Sequence, residues 1–228
     1  MREVDPYAQA KYQILLEALG PVRGVSVLVV GSGSGEFAAL LARAGAQVTA
    51  LDVDQATVDL TLQTARRFGV AIEGVISTLG DFKTTKSFDR VAATDVIEHI
   101  ADDRSAFRKL IGLCKPGGKI VVTVPALPCL FGYHDEILGH YRRYTTKSLL
   151  AVIPPDVTIH LLRYYGLFLI PVAWLISRIL RRPYPVSSVG QFGKRSRLGR
   201  FLVRAIFQWE TCFRPPIGTS LLLIARAP

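Results

Sequence analysis

The sequence predicts an α/β fold, a parallel sheet with helices on both faces, and three observations carry that prediction. Strand-type and helix-type segments alternate as far as Val124, which calls for parallel strands joined by right-handed crossovers. A β-branched strand runs straight into closely spaced glycines, and an acid closes the strand that follows. The length of 228 residues, 50% apolar and 20% charged, supports one sizeable core and excludes a mainly disordered chain. A single domain over residues 1–228 is expected.

Residues 1–23 read as a helical lead-in, with Tyr12, Leu15, Leu16 and Leu19 at helical spacing before the breaker Gly20-Pro21. Val25 to Val30 is a strand stopped by Gly31, Gly33 and Gly35, ahead of a helix over Glu36 to Ala44. Gln47 to Leu51 is a second strand ending in Asp52, and Gln55 to Phe68 a second helix. Strands near Ala71 to Ile76 and Asp89 to Thr94 follow, then a helix at Asp102 to Cys114, the turn Lys115-Pro116-Gly117-Gly118, and a strand at Lys119 to Val124. Pro125 to Tyr144 is polar and aromatic, too long for a simple connection, and is expected to be a functional loop. Thr145 to Ile153 resumes as a helix with a threonine cap, Val157 to Tyr164 as a strand, and Thr219 to Ala225 as the last strand. Residues 164–214 between them are expected to form a lid on the substrate side.

The net charge of +10 is unevenly placed. No Asp or Glu stands between Val157 and Trp209, where Arg163, Arg178, Arg181, Arg182, Lys194, Arg195, Arg197, Arg200 and Arg204 lie; the rest carries 19 bases against 18 acids. Such a patch suits an anionic surface. Next to it, Tyr165 to Ile176 is almost wholly apolar yet shorter than the ~20 residues that span a bilayer. Interfacial docking is therefore one reading of the segment, with Tyr164, Tyr165, Phe168 and Trp174 at the boundary and Arg178, Arg181 and Arg182 on headgroups; an ordinary lid is the other. Cys114, Cys129 and Cys212 show neither a disulfide framework nor zinc spacing. The start Met1-Arg2-Glu3-Val4-Asp5-Pro6 lacks a signal peptide's apolar run, so a cytoplasmic location is expected.

Chemistry begins at the glycines. At the end of a first strand they let backbone approach a ligand where a Cβ would collide. Asp52 follows Gly31 by 21 residues, at the tip of the neighbouring strand, where a carboxylate can accept hydrogen bonds from two ribose hydroxyls. NAD shares this arrangement, but its fingerprint needs a glycine at position 36. Glu36 stands there instead, its charge where a pyrophosphate would sit.

The chain resembles the class I S-adenosylmethionine (SAM)-dependent methyltransferases, in particular the small-molecule group similar to ubiquinone-type methyltransferases. The likeness covers residues 24–125 and rests on Val27-Leu-Val-Val-Gly31-Ser-Gly-Ser-Gly35, Leu51-Asp52-Val53-Asp54, Gly80-Asp81-Phe82, Phe88-Asp89-Arg-Val91, Asp95-Val-Ile-Glu98-His99 and Leu113-Cys-Lys-Pro116-Gly-Gly118. It implies a Rossmann-like sheet and SAM as cofactor. Gly31, Ser32, Gly33 and Gly35 would line its methionine and ribose, and Asp52, with Val53 beside it, would hold the ribose hydroxyls. Asp81 and Phe82 would receive the adenine, and Asp95, Val96 and His99 would flank the sulfonium. The family usually carries an acid two residues before the first glycine, where this chain has Val29; Asp95 is the candidate to meet the methionine ammonium instead. Glu98 reads as a cap or salt-bridge partner.

On the acceptor side, the loop holds two of the chain's four histidines. Methyl transfer from a sulfonium asks the protein to position a nucleophile and, for a hydroxyl, to remove its proton. His134 is favoured as base, because Asp135 beside it would raise its basicity and fix its tautomer; His140 is the second choice. Tyr133, Arg142, Arg143 and Tyr144 are expected to contact the acceptor, the arginines by clamping an anionic group or else by binding the domain's own acids. Nothing fixes a metal geometry on His134, Asp135 and His140, so no metal is expected. No Asn-Pro-Pro-Tyr or Asp-Pro-Pro-Tyr follows the fourth strand, which argues against nucleic acid. The expected activity is methylation of an O, N or C atom of a small or lipid-like acceptor. A non-catalytic SAM-binding protein of the same fold and an NAD-dependent oxidoreductase are the rivals.

Overall fold

A computed structural model describes residues 6–181 and 215–228. The expected late basic residues Arg182, Lys194, Arg195, Arg197, Arg200 and Arg204, and Cys212, lie outside the described residues. The strands are β1 (Ser26–Val30), β2 (Gln47–Asp52), β3 (Glu73–Ile76), β4 (Phe88–Thr94), β5 (Cys114–Pro125), β6 (Thr158–Tyr165) and β7 (Ser220–Arg226). They form one sheet in the order β3-β2-β1-β4-β5-β7-β6. The first five pair in parallel. The expectation of a parallel sheet needs one correction, since β7 runs antiparallel to both β5 and β6, between which it is inserted.

The helices are α1 (Pro6–Leu19), α2 (Glu36–Arg43), α3 (Gln55–Arg67), α4 (Asp103–Leu113), α5 (Tyr133–Leu138), α6 (Thr146–Leu150) and α7 (Ile170–Trp174). Alternation along each strand divides the core into two layers. Val27, Val29, Ala92 and Val121 point to the layer closed by Leu15, Leu19, Phe37 and Leu41 of α1 and α2. Leu28, Val30, Val91, Ala93, Ile120 and Val122 point to the other, closed by Phe107 and Leu110 of α4 and Leu149 of α6. Asp54, Asp102 and Thr145 cap α3, α4 and α6 by accepting from the backbone N–H three residues on, the arrangement that serves orphan donors of a first turn.

Two stretches differ from expectation. The Lys115–Gly118 turn is a bulge inside β5, where the register jumps from Phe88 opposite Cys114 to Arg90 opposite Lys119. The stretch 125–144 is no open loop. It holds a 3-10 turn (Pro128–Leu130) and α5, bounded by Gly132 and by Gly139 in left-handed conformation. Its ends are tied together: the Leu127 N–H donates to the Tyr144 carbonyl and the Tyr144 N–H to the Pro125 carbonyl. α7 runs on into a single π-helical turn over Leu175–Ile179.

Candidate functional site

The C-terminal ends of β1, β2, β4 and β5 converge on one edge. At its centre the Gly31 N–H donates to the Leu51 carbonyl at 2.8 Å, which sets the glycine turn beside Asp52. The Asp52 carboxylate accepts from the Gly33 N–H at 3.3 Å and the Val53 N–H at 2.9 Å. A Cβ at Gly31, where φ is +71°, would stand 2.5 Å from Val96 Cγ2, and one at Gly35 would stand 2.5 Å from Thr61 Cα. At Gly33 nothing lies within 4 Å of the Cβ position. The loop is thus pressed onto α3 and the turn after β4 while its outer side faces open space. α3 holds it there: the Thr61 hydroxyl donates to Ser32 Oγ at 2.9 Å and the Thr64 hydroxyl to the Ser34 carbonyl at 2.8 Å.

Around this centre, Val53 is exposed and Asp81 sits at the surface, its carboxylate accepting from the Thr78 hydroxyl at 2.7 Å. Phe82 is a core side chain, so only its backbone is left to face a ligand at the rim. Asp95, in left-handed conformation at the end of β4, accepts from the Thr123 hydroxyl at 3.0 Å and pairs with Lys11 of α1. Burial works against its charge, but Lys11 and the Thr123 hydroxyl outweigh it and keep the carboxyl below its ordinary range. Next to Lys11, Tyr12 stacks on Phe37. Sequence reading did not place Lys11 at the site, because a lead-in helix gives no sign of which strand end it will cross.

The acceptor-side residues are sorted by the structure in a way that adjacency could not foresee. Consecutive helical residues diverge in direction, and the imidazole hydrogen-bonded to the Asp135 carboxylate is that of His140, whose Nδ1 lies 2.8 Å away. The same oxygen accepts from Arg143 Nε at 2.8 Å, and the other accepts from the Gly132 N–H at 3.0 Å. Asp135 is fully buried, yet its bonds from His140 and Arg143 overcome burial and hold the carboxyl below its usual range. His134 is also buried, and burial pushes its imidazole down. Arg142 pairs with Asp103 at 2.6 Å, and the buried Tyr144 donates its hydroxyl to the same carboxylate at 2.9 Å. Arg142, Arg143 and Tyr144 are thereby engaged with acids of the domain; Tyr133 stands half-buried at the start of α5.

Among the described residues Glu98 caps no helix and makes no ion pair, which corrects its sequence reading. It is fully buried on the 3-10 turn Ile97–His99, and neither carboxylate oxygen has a hydrogen-bond partner. Burial and the neighbouring Asp95 charge raise its carboxyl well above the ordinary range. The His99 ring meets the His140 ring edge-on at 4.6 Å.

Residues 28–122 match the description of a methyltransferase domain. A ubiquinone biosynthesis O-methyltransferase of Xanthomonas euvesicatoria pv. vesicatoria (strain 85-10) is 33% identical over 161 residues, 60% of this chain and 67% of the relative. An uncharacterized methyltransferase of Mycobacterium tuberculosis (strain ATCC 25618 / H37Rv) is 33% identical over 189 residues, 76% of this chain and 91% of the relative. Among solved structures, the N-methyltransferase NodS from Bradyrhizobium japonicum WM9, in complex with S-adenosyl-L-homocysteine, superposes with a TM-score of 0.64. At 16% identity, over 99% of this chain and 90% of that one, that likeness speaks for the fold.

Proposed function

Since the chain belongs to the SAM-dependent methyltransferases, we propose that it O-methylates a small, largely apolar acceptor bearing a hydroxyl. The observation that carries this reading is the buried Asp135–His140 pair beside the edge where Asp95 ends β4. A carboxylate that fixes one imidazole nitrogen as donor leaves the other free to draw a proton from a hydroxyl. An amine acceptor needs no such base in its neutral form. The O-methyltransferase relative adds to the case.

The residues around the glycine turn fit the cofactor. Gly31 has no room for a Cβ against Val96, the outer side of the turn at Gly33 is open, and Asp52 offers its carboxylate at the tip of β2. When bound, SAM supplies a methyl group on a sulfonium that leaves as a neutral thioether. Gly31, Ser32, Gly33 and Gly35 would cradle it, Asp52 and Val53 hold its ribose, Asp81 and the Phe82 backbone border the adenine, and Asp95, Val96 and His99 face the reacting end. His140 addresses the acceptor hydroxyl, Asp135 orients His140, Arg143 holds Asp135, and Tyr133 and His134 border the acceptor. The base assigned by sequence adjacency to His134 thus passes to His140, the imidazole that the carboxylate holds.

Among the described residues no helix is long and apolar enough to cross a membrane. Phe168, Val172, Trp174, Leu175, Ile179 and Leu180 are nonetheless exposed on and beside α7, next to Arg178 and Arg181. This supports a lid whose outer side rests on anionic lipid, where an apolar acceptor would be drawn from.

Transfer of a labelled methyl group to a panel of phenols and matched anilines tests the reaction. Phenols are expected to be methylated, with His140→Ala lowering kcat at least 100-fold and leaving the affinity for S-adenosylhomocysteine within twofold. Preference for anilines, or full turnover without His140, overturns the reading. Retention on anionic vesicles at low salt, reversed by salt, is expected for the lid; indifference to them removes the lipid contact.

A further inference from the structure

We propose that Glu98, His99 and His140 bind one divalent transition-metal ion of the zinc or manganese type, with open positions that take the acceptor's hydroxyl oxygen. The metal site stands on its own observations; the acceptor clause rests on the O-methylation reading above.

One ligand atom from each of the three side chains lies within 4.8 Å of those of the other two. Two ligands of a tetrahedral ion at ~2.1 Å lie roughly 3.4 Å apart, so side-chain adjustments of about an ångström close the set. Two of the three ligands come from one 3-10 turn, and the third arrives on the segment after α5. That segment is bound to the turn, because the Tyr141 N–H donates to the Glu98 carbonyl at 2.8 Å.

Two of the three ligands have a feature that an ion accounts for. Glu98 is 0% exposed with both oxygens unpartnered. A carboxylate taken out of water with no hydrogen bond is costly unless a charge compensates it; Lys11 and Arg143 act on Glu98 only from a distance, and their charges do not offset its burial. His140 has its Nδ1 on Asp135, which leaves Nε2. An imidazole whose other N–H is donated to a carboxylate is the usual outer arrangement of a metal-bound histidine, since it fixes the tautomer and strengthens the ligand. Asp135 is itself held by Arg143 and the Gly132 N–H. His99 is the exposed member of the set, and it gives the ion an open side.

The donor set selects the ion. Two imidazoles and one carboxylate suit zinc or manganese, whereas magnesium and calcium prefer oxygen alone. Three protein ligands leave at least one position open, the mark of a catalytic rather than a structural site. A hydroxyl bound there would pass its proton to water and be held as the oxyanion, with no change of oxidation state; with Nε2 on the ion, His140 would act as a ligand, and the ion would take over the task given above to His140 as base.

Chelator-treated full-length protein, titrated with cobalt(II) and zinc in equilibrium dialysis, tests the site. One ion per chain is expected, with visible cobalt absorption in the four- or five-coordinate range. Glu98→Gln, His99→Ala and His140→Ala should each weaken binding at least tenfold, and Asp135→Asn by roughly 10- to 100-fold. His160→Ala, which removes a surface histidine on β6, should change nothing. His99 is exposed, so its variant keeps the test decisive if the Glu98 or His140 variant fails to fold. Absence of binding, or binding that survives His99→Ala and Glu98→Gln unchanged, overturns the site. Phenol methylation that persists in ion-free protein sinks the acceptor clause while O-methylation stands. Ion binding in a protein that methylates only amines sinks O-methylation and leaves the site.

Discussion

Asp135→Asn is the substitution with the largest expected consequence for so small a change of shape. The wild-type carboxylate is fully buried and answers three donors: Arg143 Nε and His140 Nδ1 on one oxygen, both at 2.8 Å, and the Gly132 N–H on the other at 3.0 Å. Asparagine offers one acceptor oxygen and turns an NH2 toward the remaining donors, so one contact becomes donor against donor. It also removes the Asp135 charge from beside the buried Arg143 guanidinium. Removing one member of a buried pair costs about 3–5 kcal/mol. The retained oxygen places Asn near the lower end, about 3 kcal/mol, or a fall in Tm of roughly 6–12 °C for a chain of this size. The assay is thermal and urea unfolding of the wild type, Asp135→Asn, Arg143→Met and the double variant. The double variant should lose less than the sum of the singles by at least 1 kcal/mol, since both changes break the same Asp135–Arg143 contact. If Asp135→Asn unfolds within 1 kcal/mol of the wild type, or if the two changes simply add, the pair does not organise the acceptor side.

Three further outcomes follow from other parts of the molecule. Asp52→Ala should weaken S-adenosylhomocysteine binding by ~1.5–3 kcal/mol, roughly 10- to 150-fold in calorimetry, and an unchanged affinity would take Asp52 out of the site. Gly31→Ala puts a side chain at φ +71° and 2.5 Å from Val96 Cγ2; it should destabilise the fold by roughly 1–3 kcal/mol, and Val96→Ala should restore only the steric part. Asp89 is held well below its ordinary range by hydrogen bonds from Lys115 and Ser26. Its folded value therefore lies under the unfolded one. The advantage of the wild type over Asp89→Asn should be complete at neutral pH and fade as pH falls below the unfolded carboxylate value of about 3.9; urea midpoints that differ equally at pH 7 and pH 2 would contradict this.

All seven strands were legible because their apolar runs are punctuated by glycine, proline and acids, and the cofactor half was legible because Gly31 and Asp52 need only neighbouring strand tips to meet. The direction of β7 was not. Ser220–Arg226 carries the same buried run that a parallel strand would, and only its two partners decide its sense. α5 was missed because six residues between two glycines show no period. The acceptor half was read less well, because its pairings are made across turns. Asp135 reaches His140 and Arg143, Arg142 and Tyr144 share Asp103, and Glu98 keeps its carboxylate without a hydrogen-bonded partner.

The late arrival of β7 has a consequence for how the chain is made. One edge of β5 and one edge of β6 are paired by a strand that begins at Ser220, long after Tyr165 has been added. At ~5–20 residues per second of synthesis, roughly 3–11 s pass in which the strand that pairs these two edges has not yet been made. Bare edges invite pairing with other chains. A ribosome that stalls between those two points should therefore release a sticky species, and cells making this protein should show a stronger demand for holding chaperones than its finished surface suggests.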